Sequence, residues 1–301
     1  MKRRSILTFF LLLASVWAAV ARAQNAASPD VLRTQSLDVS DNLYLVSGGG
    51  GNSLVMTGDN GVVIVDTKLP GHGKALIDMA ASISDQPVTT AIYTHVHGDH
   101  TGSSREIPTL GQIVAHENTK AIMERMDAFK GPGAQFLPDT TFKDTMSLGE
   151  GHDRINLYYF GAGHTSGDIV VAFPGKRLAY LGDLFPGKTV PVVDASAGGS
   201  FVAWPQTLAR AVAELKGIPR IIPGHGVSPP GSPLGRWISM ADLEEYSNFT
   251  RDFLAAVQAA FKAGKTVDEA VSSLQLSARY PAYNFDNARA GVQAVYAELK
   301  R

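Results

Sequence analysis

Apolar residues fall in two rhythms along this chain. One has the period of a strand. Leu43–Val46, Ser53–Thr57 and Val62–Val65 are short runs bounded by turn residues, and Asp59-Asn60-Gly61 between the last two is a hairpin signal. Val88–Tyr93, Ile113-Val114, Ile155–Phe160, Ile169–Phe173, Leu178–Leu181 and Ile221-Ile222 read as further strands. The other rhythm is helical. Ala75, Leu76, Met79, Ala80 and Ile83 share one face, and the same spacing predicts helices over Ala121–Phe129 and Phe201–Leu215. From Trp237 onward everything reads as helix: Trp237–Phe261, Val267–Leu274 and Asn287–Leu299, with Thr266 and Glu269 as a capping box before the second. Residues 24–36 are small and polar and are expected to fray. Pro229–Pro233 reads as a hinge before the C-terminal helices. Strands interleaved with helices point to an α/β protein with two sheets and helices outside.

The first 23 residues follow neither rhythm. Lys2-Arg3-Arg4 precedes an apolar stretch from Ile6 to Val20, and Ala21-Arg22-Ala23 closes it. A basic start, a short apolar run and an A-x-A site make a secretory signal, so residues 1–23 are expected to be removed and the mature protein to be periplasmic or secreted. The apolar run is shorter than a spanning helix needs, so no membrane anchor is expected after processing. Arg3-Arg4 leaves the twin-arginine route open beside the general one.

Composition narrows the function. The chain has 301 residues, 45% hydrophobic and 18% charged, which suits one large domain with a real core. Without the four basic residues of the leader, 23 basic residues face 28 acidic ones, a charge of −5. That balance argues against a nucleic-acid partner. There is no cysteine, so disulfides, thiolate ligands and a cysteine nucleophile are excluded. Gly48–Gly51 reads as a flexible flap or tight loop, since no Gly-Lys-Ser/Thr follows to make a phosphate loop.

Three of the eight histidines stand within six residues, His95-Val96-His97-Gly98-Asp99-His100, just after a strand. Residues two apart in extended chain point the same way, so His95 and His97 can aim at one metal. After the turn that Gly98 permits, Asp99 and His100 can face a second point. Imidazole with carboxylate suits zinc, with iron or manganese as alternatives. Further ligands must come from afar: His164, Asp183 and His225 each follow a strand and sit against glycine. His72, His116 and His152 carry no such signal.

Taken in order, Asp66, His95-x-His97-x-Asp99-His100, His164, Asp183 and His225 resemble the signature motifs of the metallo-β-lactamase superfamily, over about Leu43 to Gly226. The resemblance implies a four-layer αβ/βα sandwich over residues 24–301, with 237–301 as a helical extension of it. It implies two metal ions, His95, His97 and His164 on the first, Asp99, His100 and His225 on the second, and Asp183 bridging them. Asp66 would orient the ligand loop. The activity implied is that of a dinuclear zinc hydrolase, whose metal-bridging hydroxide cleaves an ester, thioester, lactone or amide, with Asp99 as the catalytic proton carrier. A β-lactam is among the possible substrates. Aspartate at 183 looks more like glyoxalase II-type hydrolases and lactonases than like true lactamases. The alternative is a mononuclear iron persulfide dioxygenase, or a sulfur- or quinoprotein-associated relative of the same fold. A nucleic-acid-processing member and a binding protein that merely keeps the fold are disfavoured by charge and by the intact ligand set. Lys188 reads as a solvated lysine, Phe249 and Phe253 as core, and Tyr280–Phe285 as a candidate pocket wall.

Overall fold

The structure, a computed structural model, describes residues 32–37, 42–226 and 238–301. The expected leader, residues 1–23, the hinge Pro229–Pro233 and the helix start at Trp237 lie outside the described residues. Within the unit Leu32–Arg301, β1 (Arg33–Ser36), β2 (Leu43–Ser47), β3 (Ser53–Gly58) and β4 (Gly61–Val65) form an antiparallel meander. β5 (Val88–Ile92), β6 (Gln112–His116) and β7 (Thr140–Phe142) add to it in parallel. The second sheet holds β8 (Thr145–Leu148), β9 (Ile155–Tyr159), β10 (Ile169–Phe173), β11 (Leu178–Tyr180), β12 (Arg220–Ile222) and β13 (Ile238–Ser239), in the order β13-β12-β11-β10-β9-β8.

Strand alternation sorts side chains into layers. Val65, Ile92 and Val114 of the first sheet meet Ile169, Val171, Phe173, Leu178 and Tyr180 of the second in one core. The intervening residues face outward. Val62 and Ile64 pack on the helix Gly73–Ile83 through Leu76, Met79 and Ala80. On the other side, Val170, Ala172 and Ala179 pack under the helices Trp204–Glu214, Met240–Lys262 and Ala288–Leu299. This is the αβ/βα sandwich. The C-terminal helices share that core with the second sheet, and Phe249 and Phe253 are fully buried in it.

Several elements differ from the sequence pattern. Arg33–Ser36 is not frayed: it pairs with β2 through the backbone, an edge strand whose polar side chains give no alternation. The helix expected over Ala121–Phe129 is instead Glu117–Met123, followed by a separate 3₁₀ turn at Asp127–Phe129. Its start is fixed by His116, whose Nδ1 accepts from the Asn118 amide at 3.1 Å. Ile238–Ser239 is strand, paired with β12, and the long helix begins after it with Ser239 and Asp242 as a capping box. β7 and β8 went unseen because each is a short edge strand with few buried side chains.

Candidate metal centre

The sequence-identified residues gather where strands end. Asp66 follows β4, His95 to His100 follow β5, Asp183 follows β11 and His225 follows β12. These strands lie parallel in two neighbouring pairs, so their carboxyl ends deliver the loops to one edge of the sandwich. His164 arrives between β9 and β10.

Three groups of side chains bring their ligand atoms within 4.8 Å of one another: His95, His97 and His164; His95, His100 and Asp183; Asp99, His100 and His225. Asp183 lies at the seam. Its Oδ1 is 3.4 Å from His100 Nε2 and 3.2 Å from His225 Nε2, and its Oδ2 is 3.6 Å from His164 Nε2. Asp99 Oδ2 stands 3.4 Å from both His100 Nε2 and His225 Nε2.

The outer hydrogen bonds fix which ring nitrogen faces inward. His97 Nε2 pairs with Asp194 Oδ2 at 2.9 Å, and His164 Nδ1 donates to the Val192 carbonyl at 2.6 Å. Thr94 Oγ1 donates to Asp66 Oδ2, so it accepts from His95 Nδ1, 3.1 Å away. His100 Nδ1 donates to Asp66 Oδ2 at 2.7 Å. His95, His97 and His164 therefore each turn a lone pair inward, and His100 turns its Nε2 inward. His97 Nδ1 and His164 Nε2 face each other at 2.8 Å, and buried His95 Nε2 and Asp183 Oδ1 have no hydrogen-bond partner. Lone pairs converging in a buried space need positive charge between them, which a divalent cation supplies. The donor set fits metal on this ground.

Electrostatics carry the same demand. Burial opposes charge on His100, but Asp66 and Asp183 outweigh it and hold its pKa well above the usual histidine value. Burial also works to raise Asp183, yet hydrogen bonding and charge from His100, with His225 beside it, keep its carboxyl well below the usual range. His95, buried and beside His100, is pushed well below its usual value.

Asp66 is the hub behind the histidines. Besides His100 and Thr94 Oγ1, it accepts from the Thr94 amide at 2.8 Å and from the Tyr180 hydroxyl at 2.9 Å. It sits at φ +61, and Lys68 two residues on at φ +69, both in the region that costs a side-chain-bearing residue energy. The Gly48–Gly51 segment is no free flap. Gly51 N donates to the Asp99 carbonyl at 3.2 Å, and a Cβ on Gly51 would stand 2.2 Å from the His100 ring.

His72, His116 and His152 fall outside the three ligand groups. His116 instead stacks on Tyr159 and bonds the Lys143 carbonyl. Lys188 is not simply solvated: it pairs with Asp242 at 2.8 Å and Glu245 at 3.2 Å. Tyr280 and Tyr283 are buried against Phe249. Sequence reasoning missed Asp194, Thr94, Tyr180 and Lys68. Of these only Thr94, next to His95, carried a positional hint.

A model of the metallo-beta-lactamase superfamily matches residues 46–225. The chain belongs to this superfamily. It is 24% identical over 231 residues to a metallo-beta-lactamase type 2 of Bacteroides fragilis, across 73% of this chain and 89% of that protein. It is 30% identical over 162 residues to a hydroxyacylglutathione hydrolase of Synechocystis sp., across 53% and 56% of the two chains. It is 31% identical over 159 residues to the 2,4-dinitroanisole O-demethylase subunit alpha of Nocardioides sp., across 52% and 48%. The chain thus spans about half the length of those last two relatives. Among solved structures it is similar to a metallo-beta-lactamase from Pontibacter korlensis, with a TM-score of 0.61 and 20% identity over 73% of this chain and 99% of that one. That likeness shows the fold. Members of the superfamily are mostly metal-dependent hydrolases, and the histidine and aspartate groups described here are ones that could hold a metal.

Proposed function

We propose that this chain is a dinuclear zinc hydrolase that cleaves an ester, thioester, lactone or amide of a small molecule. The observation that carries this reading is the pairing of two ligand groups, His95-His97-His164 and Asp99-His100-His225, with Asp183 reaching both. Two divalent cations held there would polarise a carbonyl and bring the pKa of water towards 7. Asp99, partly exposed beside the ligand groups, would take a proton from the attacking water. The water oxygen joins the carbonyl carbon, the acyl bond to the leaving group breaks, and Asp99 returns the proton to that group. Asp66 would hold His100 in one tautomer throughout, through the bond to Nδ1. Aspartate at 183 resembles the ligand set of hydroxyacylglutathione hydrolases and lactonases, and a β-lactam stays among the substrates to be tested.

The test is hydrolysis by the zinc-loaded protein of a cephalosporin, an acyl-homoserine lactone and a glutathione thioester, with metal content measured beside it. About two zinc ions per chain with turnover of one substrate supports the reading. Full metal content and unchanged turnover in His97→Ala would overturn it.

The leader Lys2–Ala23 supports export, with Gln24 as the mature N-terminus. N-terminal sequencing of protein from the native host tests this, and intact Met1 in the cytoplasm would refute it.

A further inference from the structure

Five histidines meet at the centre, and four of them are aimed by a hydrogen bond from behind: His95 by Thr94, His97 by Asp194, His100 by Asp66 and His164 by the Val192 carbonyl. His225 is the exception. Its Nε2 stands 3.2 Å from both oxygens of Asp183 and 3.4 Å from Asp99 Oδ2, on the inward side. Among the described residues its hydrogen-bond contacts all run through Nε2, and its side chain is 40% exposed. A ring with no outer bond and a face open to solvent takes its place from the backbone that carries it.

That backbone is Pro223-Gly224-His225, the turn off β12 in the second sheet. Asn52, which directly precedes β3 in the first sheet, grips it from across the sandwich. Its Nδ2 donates to the Pro223 carbonyl at 2.8 Å, and its backbone amide donates to the Gly224 carbonyl at 2.7 Å. Asn52 is buried, and its own carbonyl accepts from the Tyr180 hydroxyl at 2.8 Å. From the other side Gly224 N donates to the Phe185 carbonyl at 3.0 Å, and a Cβ on Gly224 would stand 2.0 Å from Asp183 Oδ1. The turn is therefore held between Asn52 and the Asp183 loop. One residue earlier, Gly51 N bonds the Asp99 carbonyl. Gly51 and Asn52 together thus bond the loops of Asp99 and His225, two members of one ligand group.

We propose that Asn52 is the positioning residue for His225: its side-chain amide pins the Pro223 carbonyl and so sets where the imidazole meets Asp99 and Asp183. The inference rests on the two-metal reading above. The plane of the Gly224–His225 peptide contains the His225 Cα, so fixing the Pro223 and Gly224 carbonyls fixes where the side chain leaves the backbone. An ion held by Asp99, His100 and His225 then finds its third ligand in place, and less ordering entropy is lost when it binds. The rings of His95, His97 and His164 carry their own outer bonds, so loss of the Asn52 amide acts on one site and not on both.

The test is cobalt titration followed by visible absorption, with His97→Ala and His225→Ala as the references that mark each site. In Asn52→Ala the Asp99-His100-His225 site is expected to weaken by about 10–100-fold, with the other site near its parent affinity. Asn52→Leu keeps the branched outline of the side chain but has no N–H there, and it is expected to weaken the same site as much. In the His225→Ala background, Asn52→Ala should cost about twofold at most, because the residue it positions is already gone. Equal weakening of both sites, an intact site in Asn52→Leu, or a full further loss in the His225→Ala background overturns the proposal. A second measurement uses the parent alone. Hydrogen exchange at the Asn52 side-chain amide, followed by NMR, is expected to be at least about tenfold slower than at an exposed asparagine. Exchange at the exposed rate overturns the grip even where no variant folds. If the parent itself binds only one cobalt ion, the two-metal reading fails, and the exchange rate still decides whether Asn52 holds the turn.

Discussion

Lys68 Nζ donates to the Gly51 carbonyl at 2.6 Å from a fully buried position, and to the Val46 carbonyl at the same distance. This lysine ties the glycine segment down over Asp99 and His100. Burial, only partly offset by the charges of Asp66 and Asp99, lowers its pKa from 10.5 to about 7. Between about pH 10.5 and pH 7 the unfolded chain binds a proton at this lysine that the folded chain refuses. The stability Lys68 contributes is therefore full at high pH, and it is lost as pH falls towards 7.

Lys68→Met should destabilise the metal-free protein most at high pH. The gap to the parent should narrow as pH falls from 9.5 to 7.5, by up to about 1.4 kcal/mol per pH unit. Urea unfolding at fixed pH steps measures this. A gap that stays constant across the range would show that Lys68 is charged in the fold throughout.

Gly51 faces His100 so closely that no side chain fits. A Cβ there would stand 2.2 Å from Cε1 and 2.4 Å from Nε2 of the ring. Gly51→Ala should push His100 off Asp66 or displace the loop, at a cost of about 1–3 kcal/mol. Bound metal should drop towards one ion per chain, because His100 is shared by two of the ligand groups. Unfolding together with metal analysis checks it. Unchanged stability with full metal content would mean that the ring and the loop do not meet as described.

Much of this arrangement was legible in the sequence because motif and period act locally. His95, His97, Asp99 and His100 lie within six residues, and strand alternation alone sets which side chains share a face. His164, Asp183 and His225 were legible because each ends a strand against glycine. Asp194 was not. It pairs with a histidine 97 residues away, and nothing in Val192-Val193-Asp194-Ala195 distinguishes it from a turn residue. Lys68 was missed for the opposite reason: a lysine after a strand reads as solvent-facing, and only the packed glycine loop shows it buried. Edge strands such as Arg33–Ser36 are held by backbone pairing, which leaves no side-chain rhythm to read.

Asp183 tests the seam between the two ligand groups. Its two oxygens reach across the seam: both lie 3.2 Å from His225 Nε2, Oδ1 is also 3.4 Å from His100 Nε2, and Oδ2 is 3.6 Å from His164 Nε2. A serine hydroxyl is shorter, neutral and has one oxygen. Asp183→Ser should leave His95, His97 and His164 able to hold one ion, while the other group loses a carboxylate. Zinc titration should show one tight site and one weakened by at least ~10–100-fold. Two sites as tight as the parent's would remove Asp183 from the centre.

Asp194 should produce the complementary pattern. Its Oδ2 pairs with His97 Nε2, while its Oδ1 accepts from the amides of Ser196 and Ala197. Although burial works to raise its pKa, hydrogen bonds from Ser196 and His97 hold the carboxyl at about 2, so the acceptor stays charged through the neutral range. That charge fixes the proton on Nε2 and leaves Nδ1 as the inward lone pair. Asparagine keeps the size but can turn its amide N–H₂ towards Nε2, which favours the other tautomer and takes the lone pair off Nδ1. Asp194→Asn should therefore weaken the His95-His97-His164 site by about 10–100-fold and leave the Asp99-His100-His225 site near its parent affinity. Asp194→Ala should do at least as much, since Ser196 and Ala197 also lose their acceptor. Cobalt titration followed by visible absorption separates the sites, with Asp183→Ser as the opposite reference. If both cobalt sites of Asp194→Asn fill as in the parent, the inward lone pair of His97 does not depend on Asp194.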